Sequence, residues 1–140
     1  MDERPKTKSA NELGETGRCV AQNLARIRNA KGISTLKLAA ILNESGRRIT
    51  ASAISKIEGG ARRVDADDLV AFAVALNVNP SALLLPHVVT GNIEVSTAGH
   101  VSARRAWDWA DGLGPLLHAD DESVRVAFQL HARPSGRRSA

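Results

Sequence analysis

Between residues 17 and 86 the apolar positions of this chain fall into five runs at helical spacing, each bounded by capping residues. After Gly17, Val20, Leu24 and Ile27 recur at i, i+4 and i+7 with Arg18, Arg26 and Lys31 off that face, and Gly32 follows as a C-cap. Ser34 offers a capping hydroxyl to a second run carrying Leu38, Ile41 and Leu42, in which Ala39 and Ala40 let a neighbouring backbone come close. After "SGRR", Thr50 caps a third, two-turn segment over about residues 50–58. Its Ile54 and Ile57 form one stripe, ended by Gly59 and Gly60. Asp65 caps a fourth run with Leu69, Phe72, Ala73 and Leu76, and Asn79-Pro80 opens a short fifth helix, "PSALLL", closed by Pro86.

The flanks are less regular. Residues 1–16 are polar and aperiodic, which predicts a disordered N-terminal tail. Residues 87–140 form a C-terminal extension, with dimerisation as its candidate role. Its "HVVTGNIEVSTAGHVS" suits a small hairpin or a packed loop. Ser102 is placed to cap "ARRAWDWADG", with Gly112 at its end, and Asp120 to cap "DESVRVAFQLHA". In that last run Val124, Val126, Phe128 and Leu130 alternate as a strand would, but the acidic start favours a helix. Trp107 and Trp109, two positions apart, cannot share one helix face, so either both are core or one lies open to a partner.

Composition narrows the class. Only 3% of residues are aromatic against 43% hydrophobic, so the core is aliphatic and favours helices packed on helices. Cys19 is the only cysteine, which excludes an internal disulfide and points to a reducing compartment. The first residues lack an apolar leader, and no window has the roughly 18 apolar residues of a membrane span, so a cytoplasmic protein is expected. His87, His100, His118 and His131 are too scattered for a helical metal pair, and no phosphate loop or nucleophile elbow occurs. Neither an enzyme nor a cofactor or metal site is expected.

Charge singles out the third segment. Residues 34–64 carry six basic side chains against two acidic ones, whereas residues 65–100 carry four acidic and no Lys or Arg. Such a concentration is the electrostatic footprint of a phosphate backbone. Two short helices joined by a turn and held between longer apolar ones make a helix-turn-helix. A helix that enters the major groove needs only its first turns there, so it can be short if packing holds it. At 100° per residue Ala51, Ser52, Ser55 and Lys56 share the face opposite Ile54 and Ile57.

Three stretches, "LARIRNAKGISTLKLAAIL", "ITASAISKIEGGARRV" and "DLVAFAVALNVNPSALL", resemble the Cro and phage-repressor type, or Xre-like, helix-turn-helix regulators over about half the chain. The resemblance rests on Leu38-Ala39, "ISKIEGG" and the Leu-Asn-Val-Asn-Pro turn. It implies an all-α, five-helix, lambda-repressor-like domain at residues 17–86. It also implies that Ala51, Ser52 and Lys56 read bases and that Thr35 grips a phosphate. Arg62 and Arg63 match a loop that touches DNA backbone or minor groove, and Glu58 matches a residue that pairs structurally with Arg28. Thr50 and Ser55 are further candidate phosphate contacts. The sequence departs from the family in "NESGRRI", which lengthens the turn by about five residues and brings Arg47 and Arg48 within reach of phosphate. The expectation is a DNA-binding regulator, most simply a repressor, acting on double-stranded DNA as a homodimer. The rival is an antitoxin-like or adaptor protein that uses the same fold to bind a partner protein.

Overall fold

The structure is a computed structural model that describes residues 12–137. Seven α-helices and one hairpin follow in order: α1 Glu15–Ala30, α2 Thr35–Glu44, α3 Ala51–Glu58, α4 Ala66–Leu76, α5 Ser81–Leu84, β1 Asn92–Val95, β2 Gly99–Ser102, α6 Ala103–Ala110 and α7 Glu122–Ala132. Most of the polar tail expected at residues 1–16 lies outside the described residues. Within it, α1 begins at Glu15, two residues before Gly17.

α1 to α5 enclose one core. Leu24, Leu38, Ile54, Phe72 and Leu83, one from each helix, are fully buried and pack with Leu42, Ile57 and Leu76. Local chemistry starts the helices where the caps predicted. Ser34 accepts from the Lys37 amide, Thr50 from Ala53 and Asp65 from Asp68. α5 differs in detail: Pro80 itself occupies the cap position and offers no side-chain bond, and the Ala82 amide donates to Asn79 O instead.

The connection between α2 and α3 is ordered by a Schellman turn. The Gly46 amide donates to Asn43 O and the Arg47 amide to Leu42 O, with Gly46 at φ +88°. A Cβ at Gly46 would meet nothing nearby, so its requirement for glycine is conformational. The chain then drops Ile49, only 4% exposed, into the core before Thr50 caps α3. The extra residues in this turn are therefore pinned at both ends.

The expectation of an all-α protein is corrected beyond Pro86. β1 and β2 form an antiparallel hairpin with Ile93 opposite Val101 and Val95 opposite Gly99. Their inward side chains, with Leu85, Ala103, Ala106 and Leu116, make a second small core. The hairpin wins because Ile93, Val95 and Val101 alternate with exposed residues and so present one apolar face to α6. The final run is a helix, capped by Asp121 rather than Asp120. Trp107 is half-buried and donates Nε1–H to Pro86 O at 3.0 Å, while Trp109 is 39% exposed.

The junction between the two cores is fixed by polar bonds. Buried Asn23 of α1 donates Nδ2–H to Leu83 O at 3.0 Å and to Leu85 O at 2.8 Å. These carbonyls end α5, where the chain leaves the helical domain.

Candidate nucleic-acid interface

α3 divides into two faces. Ile54 and Ile57 are 0% and 1% exposed, while Ser52, Ser55 and Lys56 are exposed and Ala51 is half-buried. An eight-residue helix has too few bonds to persist alone in water, so this burial is what keeps it formed. Its far end is locked electrostatically. Arg28 Nε and Nη2 donate to Glu58 Oε2 and Oε1 at 2.7 and 2.8 Å, a bidentate pair in which both side chains are nearly buried. Arg28 Nη1 also donates to Ile33 O, and the bonds to Glu58 raise the Arg28 pKa above its ordinary value. One guanidinium thus ties α1, the entry to α2 and the end of α3 together.

A second Schellman turn closes α3, with Gly60 at φ +79° and the Ala61 amide donating to Lys56 O. It sends Arg62 and Arg63 outward, both exposed. They line an open groove of about 630 Å³ with Arg18, Gln22, Glu58 and Gly60. Arg18, paired with Glu15, and Gln22 were not marked by the sequence, because nothing local to α1 shows that its outer side borders the loop after α3. Arg48 is exposed on the other flank, and Thr35 is half-buried in the first turn of α2.

Arg47, expected at a phosphate, is paired within the fold: Nη2 lies 2.6 Å and Nε 2.8 Å from Asp68 Oδ1, and Nη2 is 3.5 Å from Asp65. Asp68 is only 4% exposed, and a carboxylate at that depth requires a cation. The pairing raises the Arg47 pKa, first through the bond to Asp68. Arg47 therefore braces the scaffold through Asp68, while its side chain stays 40% exposed. Thr50 carries its cap, accepting from the Ala53 amide at 3.1 Å, which leaves the hydroxyl proton available.

Among the described residues no group of His, Cys, Asp and Glu is arranged to hold a metal, and no helix is long and apolar enough to cross a membrane. Cys19 is half-buried, and desolvation pushes its thiol pKa up.

Residues 24–83 match the Helix-turn-helix family. No curated protein matches the chain. Among solved structures it is similar to the restriction-modification controller protein C.AhdI from Aeromonas hydrophila, at 28% identity over 48% of this chain and 94% of that one, with a TM-score of 0.43. It is also similar to the hypothetical transcription factor NHTF from Neisseria, at 24% identity over 58% and 90%, TM-score 0.47. A third is the DNA-binding domain of BldD, at 25% identity over 51% and 97%, TM-score 0.43. The buried stripe of α3 and the glycine-closed turns on either side of it lie within residues 24–83, the stretch that matches the Helix-turn-helix family.

Proposed function

We propose that this protein is a sequence-specific, cytoplasmic DNA-binding regulator that inserts α3 into the major groove and represses by occluding a promoter. The observation that carries the reading is the division of α3: Ile54 and Ile57 are sealed in the core while Ser52, Ser55 and Lys56 stand outside. In this reading Ala51 and Ser52 approach base edges closely, and Lys56 donates to guanine O6 and N7. Thr35, Arg48, Thr50, Ser55, Arg62 and Arg63 contact phosphates and fix the register without reading sequence. A helix of eight residues reads few base pairs. Useful specificity then takes two copies on half-sites about 34 Å apart.

The test is selection of bound sites from random DNA, followed by a salt series on the winner. The reading expects a short motif, repeated at one-turn spacing, whose affinity falls steeply as salt rises. Retention of no DNA, or binding indifferent to salt, would sink it and favour the adaptor reading.

A further inference from the structure

Trp107 is engaged by Pro86 O, but Trp109 is left partly open, and its indole N–H has no hydrogen-bond partner among the described residues. It borders a cavity of about 420 Å³ between the two cores. Ser81 and Leu84 of α5 line this cavity from the helical core, Val95 of β1 and Trp109 of α6 from the second core, with Ala132 of α7 beside them. The half-buried Ser81 hydroxyl likewise has no partner among the described residues. Thr16, also in the lining, is already bonded to Ser96 Oγ at 2.8 Å. No charged side chain among the described residues lines the cavity. The cavities of about 630, 480 and 440 Å³ elsewhere each carry arginine and a carboxylate.

We infer that this cavity binds a small, uncharged aromatic molecule, its ring against Trp109 and a hydrogen-bonding group on the Ser81 hydroxyl. The site stands whether or not α3 binds DNA. Its volume and its largely apolar lining with a few hydroxyls are those of small-molecule sites, which run from about 300 to 1,000 Å³. A docking protein needs roughly 800 Å² of surface per partner, more than one such cavity offers. Charge decides the class of occupant. An ion buried here would lose its water and find no counter-charge on the walls. An indole prefers a second ring, offset-stacked or edge to face. Residues 1–11 and 138–140 hold no aromatic side chain that could serve instead. Because the lining comes from both cores, a bound molecule ties the extension to the helical domain and stabilises the whole chain by mass action.

The test titrates phenol, indole and naphthol into the isotope-labelled full chain at millimolar concentration, with benzoate and benzylammonium as charged counterparts. At least one uncharged compound should shift the amide resonances of Ser81, Leu84, Val95 and Trp109 saturably and raise the melting temperature. The charged compounds should bind roughly tenfold or more weakly. Trp109→Ala should weaken binding roughly tenfold, and Ser81→Ala about fivefold. Ala132→Trp, at an exposed position beside the cavity, should block it while leaving the walls intact. Circular dichroism checks the fold of each variant, and if Trp109→Ala does not fold, Ala132→Trp decides. Absence of saturable shifts with all three uncharged compounds, or shifts confined to other residues, overturns the inference. Equal binding of the charged compounds, or binding undiminished in Ala132→Trp, overturns it as well.

Discussion

Arg47 and Asp68 are joined 21 positions apart, with Nη2 and Nε of the guanidinium both on Asp68 Oδ1 at 2.6 and 2.8 Å. The bond ties the lengthened connection between α2 and α3 to the first turn of α4, where Asp65 already caps the Asp68 amide. With Ile49 buried beside it, the approach to α3 is anchored on two sides. The extra residues of "NESGRR" thus act as a brace for α3.

Arg47→Ala should therefore behave unlike Arg48→Ala. The first strands the Asp68 carboxylate at 4% exposure and lowers the melting temperature clearly. The second leaves melting unchanged and reduces the salt slope of DNA binding by about one. Thermal unfolding and a salt titration of both variants check this, and equal melting temperatures would remove the brace.

Glu58→Ala should cost about 3 kcal/mol in urea unfolding, because Arg28 is left nearly buried without its partner. Replacing both, Arg28→Met with Glu58→Leu, should recover most of that loss. If the double variant is no better than the single one, the cost lies in Arg28 Nη1 and its bond to Ile33 O.

Lys56→Ala should cost about 1–3 kcal/mol of discrimination at one base position. Arg62→Ala should weaken all sequences alike and lower the salt slope by about one. Competition binding against single-base variants of the selected site distinguishes them, and a uniform loss for Lys56→Ala would reassign it to phosphate.

Asn23→Leu should destabilise by about 1–3 kcal/mol, since Leu83 O and Leu85 O lose their donor while buried. Hydrogen exchange should report the loss at the end of α5 before it appears in α3.

Acid should loosen α7 through Asp121. The Ser123 hydroxyl, the Ser123 amide and the Val124 amide hold this carboxyl below its usual pKa of 3.8. A carboxyl depressed in the folded state contributes fully above its ordinary pKa and loses that contribution as pH falls through the lower folded value. Cα chemical shifts of residues 123–130 should show α7 fraying in that acid range. Asp121→Ala should fray it at neutral pH and remove the acid dependence.

Much of the scaffold of the candidate interface was legible because its signals are local. Caps at Ser34, Thr50 and Asp65 and the stripe of Ile54 and Ile57 act within three or four residues. The hairpin was less legible. Ile93, Val95 and Val101 alternate over too few residues to exclude a loop, and only their packing with Ala103, Ala106 and Leu116 decides it. In α7, alternation of Val124, Val126, Phe128 and Leu130 resembled a strand because both sides of that helix carry apolar residues, Val124 and Phe128 half-buried and Val126 and Leu130 exposed.

The amino-acid order alone determined where α2, α3 and α4 begin and which side of α3 turns outward, since backbone periodicity and capping follow from neighbours in the chain. It could not rank Arg47 and Arg48, two adjacent cations in one turn. Only the tertiary structure brought the buried carboxylate of Asp68 to Arg47 and left Arg48 in solvent. The physical reason is that an ion pair is chosen by distance and desolvation in the folded state, and neither quantity exists until α4 packs against α2.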